Sequence, residues 1–130
     1  MALETLDIKR IEFTHTDGNC QGFARDRQVA VSSIAFLPHK TLFHELAHVV
    51  IGHTTQGPLE DTNRTPKSLR EVEAESVALI CCESLNLPGA DDCRGYIQHW
   101  LEGDTIPQAS AQKIFKAADA ILKAGCPKAP

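Results

Sequence analysis

The chain has 130 residues, 42% of them hydrophobic, and a net charge of −4. That length builds one domain with a real core and is too short for two. The acidic balance argues against nucleic acid as a partner, since phosphate binding needs a basic face, and no apolar run approaches the roughly 20 residues of a membrane span.

The N-terminus, "MALETLDIKRIEF", carries acidic residues early and lacks the apolar core of a signal peptide, so a cytoplasmic protein is expected. The first third reads as β-structure. "IEFTH" alternates, "DGN" is a turn signal, and "CQGFAR" and "QVAVSS" are short strand-like runs joined by the polar turn "RDR". "QVAVSS" is read as a sheet edge on which a peptide can add as a further strand.

Pro38 closes this region, and the apolar period changes from two to about 3.6. The pattern predicts a helix over 40–51 with Gly52 as its stop. Residues 54–66, "TTQGPLEDTNRTP", read as a loop. A second helix starts near Thr65 or Ser68, where Ser68 and Glu71 match a capping box, and runs to about Leu85. A shorter helix follows in "CRGYIQHWLEG". The last, from about Pro107 to Ala124, puts Ile114, Phe115, Ala118, Ile121 and Leu122 on one face. The fold class is α+β, one domain over 1–130, with a small N-terminal sheet and then helices. There is no internal repeat.

The five cysteines, Cys20, Cys81, Cys82, Cys93 and Cys126, are odd in number and form no C-x-x-C pair. Reduced, buried thiols are expected rather than disulfides or a zinc knuckle.

Three of the six histidines fall in "TLFHELAHVVIGH". His44 and His48 are four apart on the expected helix, so both imidazoles project from one face on consecutive turns and can converge on one ion. Glu45 lies beside that face. This is the H-E-x-x-H arrangement of two zinc ligands and a general base. Zinc lowers the pKa of a water to about 7, and the glutamate is placed to accept its proton as a carbonyl is attacked. Apart from this stripe the helix is apolar all round, and burying it without partners would cost several kcal/mol.

His53 is set aside as a third ligand in favour of a surface or helix-capping role. It lies five residues past His48, about 140° round an ideal helix and beyond the expected stop. The metzincin spacing also needs glycine at 51 and histidine at 54, where this chain has Ile51 and Thr54. The third ligand is sought instead in "REVEAESVA". Glu71 and Glu75 fall on one face with Lys67, which reads as solvated and ion-paired. Glu73 interrupts an apolar stripe of Leu69, Val72, Ser76 and Ile80 and is the preferred ligand, with Glu75 the other choice.

"KTLFHELAHVVIGH" followed by "REVEAESVA" resembles the zincin-like metallopeptidase domain of ArdC-type antirestriction proteins. More distantly it resembles the ImmA/IrrE group of bacterial metallopeptidases. The likeness runs from "DGNCQGFARDRQVAVS" through "GYIQHWLEG" to the last helix. It implies a minimal zincin-like fold, a twisted sheet packed on the active-site helix with three further helices after it. It also implies a Zn2+ cofactor held by His44, His48 and Glu73, with Glu45 as catalytic base. The single-stranded-DNA-binding domain of ArdC has no counterpart in this sequence, in agreement with its acidic charge. Tyr96, in "GYIQHW", is a second catalytic candidate, because a phenol near the metal can stabilise an oxyanion; packing against Trp100 on the same helix is its other reading, and His99 ranks below it. The expected activity is zinc-dependent hydrolysis of a peptide bond in a protein or peptide substrate. The competing expectations are a catalytically silent zinc-containing binding module and an antirestriction-associated domain of a mobile element. A His-His-Glu shell also accepts manganese or iron.

Overall fold

The computed structural model describes residues 2–13, 21–33, 35, 37–54 and 67–125. The elements are α1 (Ala2–Thr5), β1 (Lys9–Arg10), β2 (Gly22–Arg25), β3 (Gln28–Val31), α2 (Pro38–Ile51), α3 (Lys67–Ser84), α4 (Ala90–Leu101) and α5 (Gln108–Gly125). The fold is α+β, as expected, with the short helix α1 added before the sheet. The "DGN" turn, the end of "IEFTH", Cys20, Cys126 and the loop 55–66 with its helix start at Thr65 lie outside the described residues.

The three strands are ordered β1-β3-β2. β2 and β3 form an antiparallel hairpin pairing Gly22 with Val31 and Arg25 with Gln28. Its two-residue turn places Asp26 at φ 52, a left-handed conformation that aspartate tolerates. The Arg27 side chain donates to the carbonyls of Leu6 and Asp7, tying this turn to the end of α1. β1 pairs parallel to β3. The expectation that "QVAVSS" forms an edge is therefore corrected: β3 is the central strand, with Val29, Ala30 and Val31 all buried, and β2 takes the outer position. Apolar residues in succession, without alternation, are the mark of a strand covered on both faces.

Helix α2 begins with Pro38 in its first turn, where the missing N–H is no loss, and ends at Gly52 with φ 102. Behind it α3 is packed by α2, α4 and α5, so every residue from Val72 to Ala78 is buried. The core joins Val29 of the sheet, Leu46 and Val49 of α2, Ala74, Val77 and Cys81 of α3, and Ile114, Ala118 and Ile121 of α5. Phe115, expected on the core face of α5, is 66% exposed. The buried stripe is Ser110, Ile114, Ala117, Ala118 and Ile121, and Phe115 lies about 60° beyond its edge.

Cys81, Cys82 and Cys93 are buried free thiols, as expected. Burial, with a smaller push from Cys82, raises the Cys81 thiol to about 12. Among the described residues, no helix is long and apolar enough to cross a membrane.

Candidate metal centre

The i, i+4 spacing on α2 does what helical geometry requires. His44, Glu45 and His48 form a group whose donor atoms all lie within 4.8 Å of one another and could hold a metal ion. The two Nε2 atoms face each other at 3.0 Å. Opposite them α3 presents Glu71, whose Oε2 lies 3.0 Å from His44 Nε2 and 3.4 Å from His48 Nε2. A tetrahedral zinc with bonds of about 2.0–2.1 Å spaces its donors roughly 3.3 Å apart, so these three atoms fit such an ion.

Behind this triangle each histidine is supported at its other nitrogen. Glu75 Oε1 lies 2.8 Å from His44 Nδ1, an ion-pair contact at an angle poorer than a good hydrogen bond's, and 3.5 Å from Lys40 Nζ. His48 Nδ1 meets His53 Nδ1 at 2.9 Å. His53 Nε2 lies 2.7 Å from Glu73 Oε1, and Ser110 Oγ donates to Glu73 Oε2 at 2.6 Å. The reversal at Gly52 makes the His53 contact: the His53 N–H closes onto the His48 carbonyl at 2.8 Å and folds the ring back beside its neighbour.

Three sequence expectations differ from this arrangement. Glu73, expected as third ligand, faces His53 and Ser110, and Glu71 occupies the position beside the two histidines. The face of α3 carrying Glu71 and Glu75, expected in solvent, lies against α2. Spacing along α3 separates Glu73 from the other two but does not say which face meets α2. His53, expected at the surface or as a helix cap, has a side chain only 6% exposed, held between His48 and Glu73 in a contact not foreseen from the sequence. The signal was Gly52, because a left-handed stop turns the next residue back on the helix.

Glu45 is 6% exposed. Burial raises its pKa, the neighbouring His44 and His48 charges lower it, and Glu71 and Glu75 raise it again, with a net upward shift. His44 is lowered by burial, but its close contacts with Glu71 and Glu75 and the charges of Glu45 and Glu75 carry it to about 10. Glu71 is raised by burial and lowered by a larger sum from His44 and His48, leaving it far below the usual carboxylate range.

Two open cavities meet at Glu45. One of about 240 Å³ is lined by Gly22, Lys40, His44, Glu75 and Tyr96. The other, about 400 Å³, is lined by Phe23, Arg25, His48, Lys67, Arg70 and Glu71. Tyr96 is 50% exposed and its ring lies 4.7 Å from Lys40 Nζ, which puts it at the rim of the smaller cavity. His99 lines a separate surface depression with Asp91 and Asp92, outside both cavities.

No protein-family model, curated protein or solved structure matches this chain.

Proposed function

We propose that the protein is a zinc-dependent metallopeptidase of minimal zincin-like type, acting on a peptide bond within a protein substrate. The observation that carries this reading is the meeting of His44 Nε2, His48 Nε2 and Glu71 Oε2, 3.0–3.4 Å apart, beside a buried glutamate at the junction of two open cavities. The likeness of "HELAH" and "REVEAESVA" to ArdC-type metallopeptidase domains points the same way.

In this reading His44, His48 and Glu71 hold the ion. When bound, it supplies Lewis-acid activation of water and of the substrate carbonyl. Glu45 holds and returns the proton at its carboxylate, and an upward shift from burial moves it in the direction a general base at neutral pH needs. Tyr96, at the rim beside His44 and Glu45, donates its phenol O–H to the developing oxyanion. An extended segment lies across the junction, with side chains on either side of the scissile bond entering the two cavities. The modest volumes favour cleavage at selected sites over bulk digestion.

Elemental analysis of the purified protein and of Glu71→Ala tests the metal site, and a peptide library tests the activity. About one zinc per chain, lost in Glu71→Ala, is the expected result. Glu45→Gln is expected to keep the metal and lose peptidase activity. Failure of the wild type to bind zinc, even with zinc added, would sink the enzyme reading. Binding without hydrolysis in any library would reduce it to a zinc-containing recognition module.

A further inference from the structure

The metal-centre reading leaves Glu73 with no task. Yet Glu73 is wholly buried, at 0% exposure, in the middle of the helix that supplies Glu71. Burying a carboxylate costs several kcal/mol unless it is paired and hydrogen-bonded. Glu73 meets that demand through His53 on one oxygen and Ser110 on the other, with Lys113 Nζ 3.9 Å away.

These contacts constrain where protons sit. An ionised carboxylate only accepts, so the 2.7 Å contact requires the proton of His53 on Nε2. A neutral His53 then has a lone pair on Nδ1. The 2.9 Å contact between His53 Nδ1 and His48 Nδ1 needs one donor, and only His48 can supply it. His48 therefore carries its proton on Nδ1 and keeps a lone pair on Nε2, the atom that faces His44 and Glu71. The opposite tautomer of His53 would set a lone pair against the carboxylate. It would also move the His48 proton to Nε2, where it blocks a metal.

We propose that Glu73 is a positioning residue, which acts through His53 to fix His48 in the tautomer and orientation that present Nε2 to the metal. The proposal rests on the metal-centre reading and deepens it. Each of the two metal histidines then has a carboxylate behind its Nδ1, Glu75 in direct ion-pair contact with His44 and Glu73 hydrogen-bonded to His48 through one intervening imidazole. Ser110, donating from α5, anchors the far end of the chain to a third helix.

The test combines spectroscopy with affinity. Long-range 1H–15N correlation spectra of the zinc-loaded wild type are expected to show His53 protonated at Nε2 and His48 at Nδ1; a proton on His53 Nδ1 overturns the proposal. Zinc affinity is then read by competition with a chelator. Loss of a supporting contact of this kind weakens metal binding by about 10–100-fold. Glu73→Met and His53→Phe are each expected to do so, and the double variant is expected to be no weaker than the worse single one, because both break one chain.

Glu73→Gln, whose amide oxygen can accept from His53 while its nitrogen donates to Ser110, is expected to restore most of what Glu73→Met loses. It also carries the test if Glu73→Met fails to fold. Loss of zinc in both Glu73 variants with full affinity in His53→Phe would make Glu73 a ligand and refute the relay, while leaving the metallopeptidase reading intact. A wild type that binds no zinc refutes that parent reading instead.

Discussion

Gly22 of the outer strand lies so close to Glu45 of α2 that a Cβ placed on it would sit 3.4 Å from Glu45 Cγ. The same Cβ would meet Thr41 Cγ2 at 2.6 Å and the Ala30 carbonyl at 2.9 Å. Absence of a side chain at this position lets the sheet close onto the helix beside Glu45. Gly22→Ala is expected to destabilise the protein by about 1–3 kcal/mol, the usual cost of overpacking. Denaturant titration measures it. Thr41→Ala in the same background removes the nearest methyl and should recover part of the loss; no recovery would place the strain at the Ala30 carbonyl.

The metal-free protein should show a stability optimum near pH 6.5. His44 is raised from 6.5 to about 10 in the folded state, so its contribution is complete below pH 6.5 and is lost as pH rises toward 10. Glu71, Glu73 and Glu75 are depressed below 4.5, so theirs is complete above pH 4.5 and lost on acidification. His53, lowered by burial against the pull of Glu73, loses its contribution as pH falls below 6.5. Glu45, raised from 4.5, opposes these acid-side losses in part. Urea midpoints measured in a chelator across pH 3–10 read both arms. Persistence of the alkaline arm in His44→Gln would assign it to another group.

Arg25, Lys67 and Arg70 share the larger cavity with His48 and Glu71. Arg70 Nε is buried with no hydrogen-bond partner among the described residues. For the proposed peptidase, a substrate with an acidic side chain on that side of the scissile bond should therefore be preferred. One charge-assisted hydrogen bond of about 1.5 kcal/mol corresponds to roughly tenfold in kcat/KM. Arg70→Met is expected to remove this preference and to leave turnover of neutral peptides unchanged. An unaltered preference would exclude Arg70 from substrate contact.

Cys81, Cys82 and Cys93 should resist a thiol reagent at neutral pH and react only after unfolding. All three are buried, and burial raises each thiol, so little reactive thiolate is present. Timed labelling followed by peptide mass mapping checks this residue by residue. Rapid labelling of Cys93 would show that α4 opens readily from α3.

Helix bounds and the motif were legible because their signals are local. Gly52 ends α2 where expected, Pro38 begins it two residues before the expected start at 40, and the spacing of His44 and His48 alone brings the rings together. The carboxylate that meets the two histidines was not legible by the same means. Face counting assumes one apolar side, whereas α3 is covered on all sides, so polarity could not separate a carboxylate facing His44 and His48 from one facing another partner. A pairwise signal was present. Glu71 and Glu75 repeat the four-residue spacing of His44 and His48, and two helices packed side by side match such pairs, with His44 touching both carboxylates. Phe115 failed for the opposite reason, since a large apolar residue at the border of a stripe can lie outside it at little cost.

The donor triangle draws on two segments of chain, residues 44–48 and residue 71, joined through the stretch between Thr54 and Lys67. An ion bound there is a cross-link. It closes a loop of more than twenty residues and opposes every unfolding route that parts α2 from α3. A protease cut between residues 54 and 67 would break the covalent tie and leave the clasp in place, so a nicked, zinc-loaded protein should travel as one particle until a chelator is added.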